Sequence, residues 1–376
     1  MKKTGFFLVI FVLLLLFFAQ PCYAADESDT YISQSGIYES AAALESETKT
    51  FLKEIGLGEI TAQNVYALDF FTVLKTVFAS FQNAFRNALK TLTVIAGTVL
   101  LSAFAQSFAE GTNGQTIQHI LHPVSVCVIV LCSSASFAAL IGEAAAGVRS
   151  AAAFSISAVP IMCVICAAQG KAVSASLCSA ATVGISQVLN TCFSVYYIPA
   201  ANIMLALGIS ACANNTLHLD KAVKLIRKYL LIFLGGGALV YFTVLSVRTS
   251  VSSAVDESTV KTIKFASANF IPVIGGAIGD SAQAVAASLA VSKSTVGVFG
   301  LFCILAIFIP IISKILVWII GLEICSLFSE AFSLEQETIC LKHLADTLTV
   351  FIVVIIFCVT MFFINFGVLL TLRGAV

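Results

Sequence analysis

The chain has 376 residues, of which 59% are hydrophobic and only 11% charged, and its 20 basic and 20 acidic residues cancel to a net charge of zero. Soluble globular domains carry about 25% charged residues, so an ordinary soluble protein is excluded. The neutral balance, with no basic stripe interleaved with aromatics, excludes a nucleic-acid binder. A mean hydropathy of +1.02 points to lipid as the solvent.

From the N-terminus, Lys2 and Lys3 precede an apolar core from Phe6 to Phe18, followed by Pro21 and the small-residue pattern Cys22-Tyr23-Ala24. This reads as a signal peptide over residues 1–24, cleaved after Ala24. Cleavage would leave residue 25 onward outside the cytoplasm. Residues 25–87 form an acidic extracytoplasmic arm, in which Asp26, Glu27, Asp29, Glu39, Glu45, Glu47, Glu54, Glu59 and Asp69 outnumber the basic residues. Its second half, 65–89, spaces Leu68, Phe71, Leu74, Phe78, Phe81 and Phe85 three and four apart, which predicts a helix with one apolar face. That face either packs on the membrane domain or serves as an interfacial or partner-docking face.

Residues 88–376 form a polytopic transmembrane domain. Charge-free runs at 91–109, 111–142, 150–170, 172–219, 229–247, 294–313 and 347–372 reach or approach the ~20 residues of a span. The most basic loop holds Lys221, Lys224, Arg227 and Lys228 and is cytoplasmic by the positive-inside rule. An odd number of crossings must therefore precede it. With spans at 91–109 and 119–140, the region 150–215 supplies the odd remainder. It does so as three short spans, or as a re-entrant hairpin plus a long span kinked at Pro199. The fold expected is all-α, with two Gly/Pro-broken segments, re-entrant or discontinuous.

Those segments lie around Pro160 to Lys171 and around Asn269 to Gly297. A shift of 112 residues aligns Pro160 with Pro272, Ala172 with Ala284, Val173 with Val285, Ala175 with Ala287, Ser176 with Ser288 and Leu177 with Leu289. A repeated unit of span, broken segment and span is the pattern of duplicated transporter cores. On this reading the breaks fall at 168–171 and 279–283. Broken backbone survives at membrane depth only when buried in protein or lining a cavity. The candidate pathway residues are therefore Pro160, Lys171, Asn269, Pro272, Gly275, Gly276, Gly279 and Asp280.

Asp280 is either an intramembrane functional acid or a capping residue at a hairpin tip. Lys314 lies in an apolar run, where a charge must face the bundle or snorkel, and one reading pairs it with Asp280. Gly275 with Gly279, and the run Gly235 to Gly237, read as helix-packing glycines. Cys163 and Cys166 have CxxC spacing but sit among apolar residues and read as core. The twelve cysteines, eleven after loss of Cys22, do not form a disulfide framework. His119 and His122 lack a completing ligand set. No HExxH, GxSxG or Walker-type GxxxxGK[ST] occurs. The expectation is no enzyme activity, no catalytic residues, no cofactor and no metal site.

The signal sequence, acidic arm, Ala/Ser-rich body and above all the stretch NFIPVIGGAIGDSAQAVAASLAVSKSTVG at 269–297 resemble the stage III sporulation protein AE family of endospore-forming bacteria. The resemblance implies a subunit of a secretion-like channel complex in the outer forespore membrane, joining mother cell to forespore and supporting late forespore development. It implies partners among the other stage III A-operon products, including an ATPase-like subunit and ring-forming subunits. Stage II sporulation protein Q is implied as an indirect partner. The residues alone also support a permease that moves a small solute through broken-helix repeats.

Overall fold

The computed structural model describes residues 37–42, 44–110, 115–168, 172–213, 219–270 and 275–371. Side chains from 247 to 290 lie outside that description, and so does the expected signal peptide. Helices account for the described elements, with no strand among them. Three short helices come first: α1 (Ile37–Ala42), α2 (Ser46–Glu54) and α3 (Ala62–Tyr66). Long ones follow: α4 (Phe70–Glu110), α5 (Gln115–Ala168), α6 (Ala172–Cys192), α7 (Ile198–Ala213), α8 (Leu219–Phe270), α9 (Gly275–Ala331) and α10 (Glu335–Thr371). Six stretches of the described helices are long and apolar enough to cross a membrane: Phe70–Phe108, Leu121–Ala168, Ser174–Ser210, Lys221–Ser246, Val291–Ala331 and Glu335–Val368. The chain is an all-α, multi-pass membrane protein.

Two boundaries differ from the sequence reading, both because good helix formers bridge what looked like junctions. The arm was expected to end at residue 87, yet α4 runs for 41 residues through Arg86 and Lys90 without a break. Its buried stripe is built from Val73, Ala84, Ala88, Ile95 and Val99, small and β-branched residues, with Leu92 seated against Gly321 of α9. Most of the aromatic face remains outside: Phe71, Phe78 and Phe85 are exposed, while Leu68 and Phe81 are half-buried against the core. Likewise the runs 111–142 and 150–170 are one 54-residue helix, α5, with Pro123 and Pro160 inside it.

Between α6 and α7, Phe193–Tyr197 forms a π-helical turn. Pro199 follows directly, within helical backbone that is continuous from 172 to 213, and the π-turn lies where the ring removes a backbone donor. The region from 172 to 213 is therefore one crossing, and the part before it belongs to α5.

The core is the α9/α10 hairpin, wrapped by α4, α5 and α7. Ile304, Ala306, Phe308 and Ile315 of α9 and Ile355, Phe362 and Phe366 of α10 are fully buried. Phe308 stacks on Phe362 at 6.4 Å, Phe154 of α5 stacks on Phe366 at 5.9 Å, and Phe137 meets Trp318 edge-on at 5.5 Å. Glycines set the spacing. A Cβ on Gly300 would lie 2.8 Å from Phe366 Cδ1, and one on Gly297 would lie 2.8 Å from Met162 Cε.

The second broken segment is not where the sequence placed it. Backbone is helical across 279–283, because Gly275, Gly276 and Gly279 are each a tolerable cost among the Ala-rich helix formers that continue to Ala331. Residues 271–274, Pro272 among them, lie outside the described residues.

Candidate functional site

Charged side chains inside an apolar bundle need partners, and two groups show where this chain provides them, with an apolar groove beside them. The first joins the arm to the bundle. Lys314 of α9, 22% exposed, lies 2.9 Å from Glu143 Oε2 of α5 and 3.4 Å from Glu47 Oε2 of α2. Glu47 sits at this point because α2 is held down by Phe51 and Leu52, both buried. The helix then stops at Gly56, whose φ of +89° places it in the left-handed region. The Gly56 N–H donates to Lys53 O and the Leu57 N–H to Leu52 O at 2.8 Å, the pattern that terminates a helix at glycine and folds the next apolar residue back. Ser46, Glu47, Thr50 and Glu54 of α2, Ser80, Asn83 and Asn87 of α4, and Lys314 line a polar cleft of about 270 Å³ beside the junction.

The second group lies at the end of the bundle where α9 turns into α10. Glu337 is fully buried; His122 Nδ1 lies 3.0 Å from its Oε1, and the Ser125 hydroxyl donates to the same oxygen. Together they tie α5 to α10. Arg227 of α8 reaches Asp346 of α10 at 2.7 Å, so the basic loop lies at this same end.

The third feature is an apolar groove of about 680 Å³ between α6, α8 and α10, floored by Phe357, Cys358 and Met361. Gly236 and Gly237 line it, and a Cβ on either would meet nothing within 4 Å. The expectation that Gly235 to Gly237 pack a neighbouring helix is therefore not met within the described part of this chain.

The sequence-predicted residues scatter. Lys314 enters the arm junction. Its pairing with Asp280 is excluded, because the two are 34 positions apart on the uninterrupted α9, about 50 Å at 1.5 Å per residue. Pro160 is exposed in the interior of α5, with no break at that point. Asn269 falls in the last turn of α8, and Gly275, Gly276, Gly279 and Asp280 in the first turns of α9. The side chains of these five, together with Lys171 and Pro272, lie outside the described residues. Cys163 and Cys166 are buried free thiols. His122, weighed as a metal ligand, is a partner of Glu337. Among the described residues no three His, Cys, Asp or Glu side chains are grouped to hold a metal.

The sequence reading missed Glu143 and Glu337. Glu143 carried a usable signal as the acid that separates the runs 111–142 and 150–170. Glu337 did not stand out within the acidic stretch 323–346, because its burial depends on α5 arriving from 215 positions away.

The family model described as Stage III sporulation protein AE matches residues 51–372. Stage III sporulation protein AE of Bacillus subtilis (strain 168) is 23% identical over 234 residues, an alignment spanning 61% of this chain and 59% of that protein. No solved structure matches. The family match runs from α2 to the end of α10, well over half of the chain, and so the chain belongs to the stage III sporulation protein AE family.

Proposed function

We propose that this chain is an integral membrane subunit of a transenvelope, secretion-like channel complex between mother cell and forespore, needed for late forespore development. It sits in the outer forespore membrane with other stage III A-operon products, an ATPase-like subunit and ring-forming subunits among them, and meets stage II sporulation protein Q indirectly. The observation that carries this reading is the family match across both arm and bundle. The surface supports an assembled state. Exposed apolar side chains on α4 extend from Phe70 to Phe108, about 57 Å along the helix, against a bilayer core of about 30 Å. With Phe71, Phe78, Phe104 and Phe108 among them, that is more apolar surface than one bilayer covers. Neighbouring subunits would cover the rest. The sequence carries no Walker-type motif, which suits a subunit energised by a partner.

The test is deletion of residues 26–87 and, separately, Asp280→Ala in a spore-forming host, each scored for co-purification of the complex and for spore formation. The arm deletion should lose assembly and spores together. If it assembles and sporulates normally, the reading fails. The permease alternative predicts instead that Asp280→Ala assembles normally and fails to sporulate.

A further inference from the structure

Deep in the bundle, Thr182 and Ser186 of α6 and Asn365 of α10 are each 0% exposed. The Thr182 Oγ1, the Ser186 Oγ and both the Oδ1 and Nδ2 of Asn365 have no protein hydrogen-bond partner. Hydroxyls in helices usually satisfy themselves by donating to the carbonyl one turn back. Ser155, Thr347 and Thr360 do so here, at 2.7, 2.9 and 2.8 Å. Thr182 and Ser186 do not, and standing four apart they share one face of α6.

Asn365 lies one turn from Met361, which together with Cys358 walls the groove shared with α6. The three side chains thus belong to facing helices. On either side of Asn365, Phe362 and Phe366 are committed to stacking on Phe308 and Phe154, so no aromatic rearrangement satisfies the amide. An amide offers two donors and an acceptor oxygen. Leaving all of them unpaired in an apolar interior is among the most expensive arrangements a bundle can hold. On α9, Thr295 is also fully buried with an unpartnered hydroxyl.

We propose that Asn365, Thr182 and Ser186 form a water-binding site in the core of the bundle. The chemistry is uncharged and rich in both donors and acceptors, which selects water over an ion or an acyl chain. Such a site hydrates the interior of an otherwise apolar structure, and it does so within this chain, without partners.

Silver ion, which reaches thiols through water and not through hydrocarbon, tests this in membranes holding the full chain alone. Cys303 serves as the built-in control. It is fully buried on α9 one turn from Gly300, where α9 packs on Phe366, and so lies at nearly the depth of Asn365. After silver treatment, the unreacted thiols are alkylated under denaturing conditions and assigned by peptide mass spectrometry. Asn365→Cys should react at least tenfold faster than Cys303 in the same molecules. If Asn365→Cys does not insert, Ser186→Cys, a change of one atom, carries the same expectation. Reaction at the Cys303 rate in whichever variant inserts overturns the proposal. Because no partner is present, either outcome is independent of the assembly proposed above.

Discussion

Glu337 provides the sharpest energetic test of the bundle. Its side chain is fully buried, and its partners are Ser125 and His122, the latter 18% exposed. Replacing His122 by Ala strands the carboxylate with one hydroxyl donor. Removing one partner of a buried ionic pair costs about 3–5 kcal/mol. The lower end applies here, about 3 kcal/mol, since Ser125 still donates. Adding Glu337→Leu removes the stranded group. Ser125 then keeps its 2.8 Å bond to the His122 backbone carbonyl and is not orphaned. The double variant should therefore be more stable than His122→Ala by about 2 kcal/mol, a coupling that only direct contact produces. Amide hydrogen exchange over residues 335–345 and 121–130 reads the local opening. At 1.4 kcal/mol per tenfold, His122→Ala should accelerate exchange there roughly a hundredfold, and the second substitution should recover most of it. Exchange within about threefold of the parent in His122→Ala, or a double variant no slower than the single, would refute the buried-pair reasoning.

The arm should be held by its apolar anchor more than by its ion pair. Glu47 is 67% exposed, so Glu47→Gln should cost under ~1 kcal/mol and raise tryptic cleavage at Lys49 and Lys53 less than fivefold, whereas Phe51→Ala, at a site 4% exposed, should cost about 3–4 kcal/mol and raise it more than a hundredfold. Thermal unfolding in detergent should rank the glycines. Gly300→Ala forces a methyl against the rigid ring of Phe366 and should cost about 1–3 kcal/mol, while Gly236→Ala meets open space and should gain up to about 1 kcal/mol of helix propensity. Ser333 holds a φ of +58° in the turn between α9 and α10; Ser333→Gly should relieve about 0.5–1 kcal/mol of left-handed strain, visible as a higher unfolding midpoint.

Hydropathy made the helical, multi-pass character of this chain legible at once, because a span of apolar residues is a local property. Position in three dimensions was less legible. The phenylalanine spacing on 65–89 announced a helix correctly, yet which face packs was decided by the opposite, small-residue stripe of Val73, Ala84 and Ala88 meeting α9. The Gly-rich segment at 275–283 looked broken because glycine and aspartate are weak helix formers one by one. Over a longer window the Ala-rich continuation outweighs them, and the backbone is helical from Gly275 onward. Lys314 stood out as a charge in an apolar run, but its partner, Glu143, lies 171 positions away. No local pattern reports contact at such separation.

The length of α5 also resolves the crossing count on which the orientation of the chain depends. Taken separately, the runs 111–142 and 150–170 suggest two spans, and Glu143 and Arg149 suggest a loop between them. Continuous backbone from Gln115 to Ala168 makes them one helix, with Glu143 satisfied by Lys314 and not by water at a loop. The helices before the basic loop are then α4, α5 and the pair α6 and α7, three crossings in all, so the start of α4 and the basic loop lie at opposite ends of the bundle. The Arg227–Asp346 and His122–Glu337 pairs place the basic loop, the start of α5 and the α9/α10 turn at one end of the bundle, as strict alternation of these helices demands. Counting α5 twice would put that loop on the wrong face, and no arrangement of the described helices would then satisfy both pairs.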